Sequence, residues 1–151
     1  MEPWDNLVRE PQERAVKLIQ ENIKPGKPLM VLGLTGCGKY ELTRKAIEKL
    51  EFIPYTFFIL GANHDPNNEL GYSDSYETFI QSIPGNGVLV FDGIDSANPK
   101  WMQHFLTEAK HPDRPVVFVG TGNRNVSMIL AMQCKILKFT NDFPAELLEI
   151  E

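Results

Sequence analysis

The residues best suited to chemistry in this chain fall in three places. The first is Gly33-Leu34-Thr35-Gly36-Cys37-Gly38-Lys39-Tyr40, in which glycines recur up to a lysine. Glycines so spaced let a backbone curl into a hollow toward which several N–H groups point, and such a hollow accepts the oxygens of a phosphate chain. Lys39 would meet the outer phosphates as a point charge. The second place is Asp92, the carboxylate that ends the apolar run Val88-Leu89-Val90-Phe91 and is suited to hold Mg²⁺, directly or through water. The third is Asn123 after Gly120-Thr121-Gly122, an amide able to touch a terminal phosphate or position a water. Taken singly, Asp92 and Asn123 also read as ordinary turn residues. Their conjunction, each at the end of an apolar run, points to a polyphosphate site. Tyr40 breaks the pattern. A loop of the form Gly-x4-Gly-Lys is followed by Ser or Thr, whose hydroxyl holds Mg²⁺, and a phenol is too long and rigid for that small octahedral position.

Positioning these groups requires strands that end together. Leu29–Leu32 leads into the glycine loop, and a helical pattern from Glu41 to Leu50 leads out, the strand–turn–helix layout of a P-loop. Tyr55–Leu60, Val88–Asp92, Pro115–Val119 and Lys135–Phe139 read as further strands; continuous apolar runs of this length suit strands covered on both faces. Helical patterns lie between them: Pro11 to Asn22 with Pro11 in the first turn, Ser73 to Ile83, Asn98 to Lys110 capped by Ser96 or Asn98, and Val126 to Met132. Trp101 and Phe105 are expected in the core rather than on a binding surface. The alternation predicts an α/β fold, three layers with a parallel sheet of about five strands flanked by helices. Ligands of such sheets bind at the carboxyl ends of the strands. One domain is expected over residues 1–151: a lead-in segment and helix over 1–28, the core over 29–140, and a tail or the start of a lid helix over 141–151.

With 151 residues, 42% hydrophobic and 23% charged, the chain suits a globular domain with a real core. A net charge of −5 disfavours general adhesion to nucleic acid, and Arg44, Lys45 and Lys49 read as a solvated helix face. No apolar run nears the ~20 residues of a membrane span. The start, Met1 to Asp5, lacks the pattern of a signal peptide, so a cytoplasmic or other intracellular setting is expected. Cys37 and Cys134 lie far apart, without zinc spacing, and the three histidines are scattered.

Over nearly its whole length the sequence resembles the ATPase core of AAA+ proteins, and within them the clamp-loader group. Gly33 to Lys39 is similar to the Walker A loop, Val88 to Asp95 to the Walker B stretch, and Gly122-Asn123 to the sensor 1 position. Trp4 to Val8 is similar to the family's segment against the adenine, which makes Val8 a candidate for the base. Leu60 to Asn63 and Glu69 to Gly71 are similar to the region after the second strand. Ile129 to Phe139 is similar to the Ser-Arg-Cys segment and its strand. The resemblance implies ATP or ADP as ligand, with Mg²⁺, bound by Val8, Gly33, Thr35, Gly36, Cys37, Gly38, Lys39 and Tyr40, and with Asp92 and Asn123 in catalytic positions, Asp92 also on the metal.

The departures fall on the catalytic parts. Besides Tyr40, Gly93 stands where the family has the water-activating glutamate, and Gln133 where it has the arginine finger. Such a finger alone contributes about 10³–10⁵ in rate. Asp95, Glu41 and Thr35 are the nearby groups that could substitute, and Arg114 and Arg124 the cations that could reach a neighbour's nucleotide. The expected function is therefore an ATP-binding domain with weak or absent hydrolysis, a subunit or scaffold in a clamp-loading-type replication assembly. Its expected partners are other AAA+ subunits or a replication complex, with DNA met only through the assembly and no membrane. Two alternatives are an active ATPase that loads or remodels a replication or recombination complex, and a viral helicase core of the superfamily 3 kind.

Overall fold

The computed structural model describes residues 3–59, 61, 76–122 and 125–150. In chain order the elements are α1 (Pro3–Glu21), β1 (Leu29–Leu32), α2 (Lys39–Lys49), β2 (Ile53–Phe58), α3 (Tyr76–Gln81), β3 (Gly87–Asp92), α4 (Met102–Ala109), β4 (Val116–Gly120), α5 (Asn125–Ala131), β5 (Lys135–Phe139) and β6 (Leu147–Ile150). Short 3-10 turns at Ile94–Ser96 and Pro99–Trp101 link β3 to α4. The strands form one sheet in the order β2-β3-β4-β1-β5-β6. All neighbours run parallel except β5 and β6.

Side-chain alternation divides the interior into two cores. On one face, Leu29 and Val31 of β1, Val88 and Val90 of β3, and Val117 and Val119 of β4 meet Ala15, Val16 and Ile19 of α1 and Leu42, Ala46 and Ile47 of α2. On the other face, Met30, Leu89, Phe91 and Phe118 meet Tyr76 of α3, Trp101, Phe105 of α4, and Leu130 of α5. The first core is mainly aliphatic. The second is aromatic: Phe91 stacks on Phe118 with centroids 5.5 Å apart, and Trp101 on Phe105 at 5.8 Å. Strands covered on both faces have no polar side to show, which is why β1, β3 and β4 read as unbroken apolar runs. This is the three-layer α/β fold expected from the sequence, with six strands rather than about five, and Trp101 and Phe105 are wholly buried core residues as expected.

Three expectations need correction. The first helix does not begin at Pro11. It starts at Pro3 and runs through Pro11, which lies buried in its interior; the ring removes one helical hydrogen bond, and the packing of Ala15, Val16 and Ile19 on the sheet holds the helix together. The α4 region is a 3-10 turn followed by an eight-residue helix rather than one continuous helix; Asn98 does cap it, accepting from the Lys100 N–H at 2.9 Å. The closing segment forms no lid helix over residues 147–150. It returns as β6, antiparallel to β5, with Phe139 opposite Leu147 and Ile136 opposite Ile150. A Lys135–Glu149 ion pair crosses between the two strands. No helix among the described residues is long and apolar enough to cross a membrane.

Candidate functional site

The carboxyl ends of β1 and β3 are stitched to β4, which lies between them. Leu32 stands opposite Gly120 and Asp92 opposite Val119. Beyond the strands, the Gly33 N–H donates to the Gly120 carbonyl at 3.1 Å and the Gly93 N–H to the Val119 carbonyl at 3.0 Å. The glycine loop and the acidic strand end therefore leave the sheet from one edge, held by the same neighbour.

Gly33 is enclosed: a Cβ there would lie 2.7 Å from the Cys37 Sγ and 3.2 Å from the Phe139 Cβ. Gly36 and Gly38 are different. Their φ angles are +87° and +85°, a region L side chains avoid, and a Cβ on either would meet nothing within 4 Å. The loop thus has a packed floor and an open rim. Cys37 N–H donates to the Leu34 carbonyl at 3.2 Å, and Leu42 N–H to the Gly38 carbonyl at 2.9 Å, which opens α2 directly after the loop. The Lys39 ammonium bends back over the loop to the Leu34 carbonyl at 3.3 Å. Behind it, the wholly buried Thr43 donates to the Lys39 carbonyl at 2.7 Å, fixing the first turn. Thr35 is exposed on the rim.

Asp92 is half-buried at the end of β3. Burial raises its pKa above the ordinary carboxylate value, while the nearby Lys39 charge and the Gly93 N–H act in the opposite sense. The lysine of the loop and the carboxylate of β3 are therefore near enough to influence one another. Asn123 and Arg124 lie outside the described residues, as do Leu60 and the stretches 62–63 and 69–71 read as following the second strand.

The Tyr40 side chain is taken up by β2. Its hydroxyl donates to the Thr56 Oγ1 on β2 at 3.0 Å, and its ring meets Phe58 edge-on at 5.4 Å. The side chain braces α2 against the sheet edge. Gly93 is fixed as strictly: its φ is +88°, and a Cβ would lie 2.8 Å from the Ile59 carbonyl oxygen. A glutamate does not fit this backbone. Both departures are built into the local packing.

Asp95 offers no replacement carboxylate. Its Oδ2 accepts from the Thr121 N–H, from the Thr121 hydroxyl at 3.0 Å and from the Gly122 N–H at 3.1 Å. A Cβ on Gly120 would collide with that oxygen, so glycine at the end of β4 admits the carboxylate. Arg114 pairs with Glu108 at 3.1 Å, both largely buried, and serves the fold. Arg44, Lys45 and Lys49 are exposed, the solvated face expected. Gln133 is exposed after α5. Burial pushes the Cys134 thiol up to about 12, which disfavours its thiolate. No cluster of three metal-ligating side chains occurs among the described residues.

A cleft of about 340 Å³ opens beside the loop. Leu34, Thr35, Gly36 and Cys37 form one side, Val8 and Gln12 of α1 another, and residues 139–145 the third. Val8 thus lines the same cleft as the glycine loop. The wall over 139–145 was not legible in the sequence; the signal for it is an isolated phenylalanine, Phe143, inside the turn-rich Thr140-Asn141-Asp142-Phe143-Pro144.

No known family matches the sequence, and no curated protein does. Among solved structures, Cdc6p from Pyrobaculum aerophilum aligns with 86% of this chain at 14% identity and a TM-score of 0.47. The chain covers 44% of that protein, less than half its length.

Proposed function

We propose that this chain is an AAA+-type nucleotide-binding domain that holds ATP or ADP and hydrolyses it weakly or not at all. It acts as a subunit or scaffold in a clamp-loading-type replication assembly, with other AAA+ subunits or a replication complex as partners and DNA reached only through them. The observation that carries the reading is the open-rimmed loop, with Gly36 and Gly38 at positive φ and Lys39 at the head of α2, beside Asp92. Backbone N–H groups at a helix start, together with a lysine, are what a polyphosphate needs. Gly33, Thr35, Gly36, Cys37, Gly38 and Lys39 would hold the phosphates. Asn123 is the further candidate for the terminal phosphate.

Mg²⁺ fits less well. The hydroxyl that would share it is bonded to Thr56, which leaves Asp92 as the one protein ligand among the candidate residues. A divalent ion bound there would rely on phosphate oxygens and water. The same two features favour binding over turnover, since Gly93 cannot carry a glutamate.

Titration with ATP and ADP, with and without Mg²⁺, tests the reading. The expected result is binding that is abolished by Lys39→Ala and little affected by removing Mg²⁺, with phosphate release near background. Hydrolysis at the rate of ordinary AAA+ enzymes, lost in Lys39→Ala, would favour the active-ATPase alternative instead.

A further inference from the structure

The cleft beside the glycine loop has a wall that nothing in the phosphate chemistry requires. Phe143 lies on that wall and is 78% exposed, an apolar ring left in water a short way from a phosphate cradle. The loop that carries it is tied at its base. Thr140 N–H donates to the Glu146 carbonyl at 2.8 Å, and Glu146 N–H donates to the Thr140 hydroxyl at 2.9 Å. The Glu146 carboxylate also meets Arg14 of α1 at 3.4 Å, so the loop is linked to the helix that lines the opposite wall. Among the residues of these walls, Gln12 and Asn141 carry side-chain amides and Val8 an apolar side chain.

We propose that the β5–β6 loop forms the base-binding wall of this site, with Phe143 as the surface on which the nucleobase stacks. The inference rests on the reading of the glycine loop as a phosphate cradle. A nucleotide whose phosphates lie on Thr35 to Lys39 has its base in the adjoining cleft, which is the space bounded by Val8, Gln12 and Phe143. Stacking suits an exposed aromatic ring, because it covers the ring and gives the base an apolar face, while Gln12 and Asn141 are able to serve the polar edge of the base. Phe143 is thereby a binding residue that acts on the base alone and not on the phosphates.

Calorimetric titration of the full chain with ATP and with inorganic tripolyphosphate separates the two halves of the site. The wild-type chain is expected to bind both, ATP more tightly. Phe143→Ala should weaken ATP about tenfold, the size typical of a lost base–aromatic stack, and leave tripolyphosphate unchanged; exposure of the ring means the variant folds. Phe143→Trp should retain ATP binding and show fluorescence quenched by ATP but not by tripolyphosphate. Equal ATP affinity in Phe143→Ala and wild type, or equal losses for ATP and tripolyphosphate, would overturn the base wall while leaving the phosphate cradle standing. If the wild-type chain binds neither probe, the cradle itself is refuted and the base wall with it.

Discussion

Tyr40 and Thr56 are joined hydroxyl to hydroxyl across 3.0 Å, so the residue that follows the loop lysine holds a helix to a strand. Removing only the phenolic oxygen, in Tyr40→Phe, should lower stability by about 0.5–1.5 kcal/mol, the usual worth of such a bond. Tyr40→Thr removes the ring as well and should lower it by about 2 kcal/mol or more, while placing a hydroxyl where Mg²⁺ could use it. Denaturant unfolding measures the first effect. Nucleotide affinity with and without Mg²⁺ measures the second, and a Mg²⁺ dependence absent in wild type is expected in Tyr40→Thr.

Restoring the missing glutamate should fail. Gly93→Glu forces an L side chain to φ +88° and sets its Cβ against the Ile59 carbonyl. The left-handed backbone alone costs about 1–2 kcal/mol, and the collision adds to it. A lower unfolding midpoint with no gain in phosphate release is the expected outcome. A stable variant with rapid turnover would show that this strand end can rearrange.

Asp95→Ala should release the turn after β4. One carboxylate oxygen serves three donors there, and bonds to a charged group contribute about 1.5–3 kcal/mol each when well formed. A loss of about 2–4 kcal/mol overall is expected, with faster amide exchange at Thr121 and Gly122. Asp95→Asn, which keeps an acceptor but not the charge, should fall between. Unchanged exchange at those two amides would mean that the carboxylate does not hold the turn.

Asp92 makes stability depend on pH in a defined direction. Its folded-state pKa is raised, chiefly by burial, so the native state holds the proton more tightly than the unfolded chain. The contribution is full below the unfolded-state pKa and is lost as pH rises through the folded-state value. Asp92→Asn should therefore be more stable than wild type at neutral pH, with the difference shrinking in acid. Lys39→Ala should raise the Asp92 pKa further, since the ammonium lowers it. Unfolding midpoints between about pH 3 and about pH 8 check the first prediction, and NMR titration of the Asp92 carboxyl checks the second.

What could be read in advance was whatever a continuous run of residues settles by itself. Val88 to Phe91 and Val116 to Val119 are apolar throughout because both faces are covered, and the loop announces itself through its glycines. Pro11 misled, since a proline favours a first helical turn, whereas here the helix begins at Pro3 and runs through it. β6 escaped because Leu147-Leu148-Glu149-Ile150 is too short to declare itself, and only pairing with β5 makes it a strand. In the candidate site, Lys39 and Asp92 could be named from type and position alone. The partners Thr56 for Tyr40 and Thr121 for Asp95 were not, because they lie 16 and 26 residues away in sequence, and contacts at that range follow from the folded sheet.

The division of the interior into an aliphatic and an aromatic half has an optical consequence. Trp101 is sealed among Phe57, Tyr76 and Phe105 in the aromatic half, whereas Trp4 belongs to α1, the helix that covers the aliphatic half beside the cradle. Replacing Trp4 by Phe would leave Trp101 as the sole indole of the chain, so that intrinsic emission would report on the packing of the aromatic half alone.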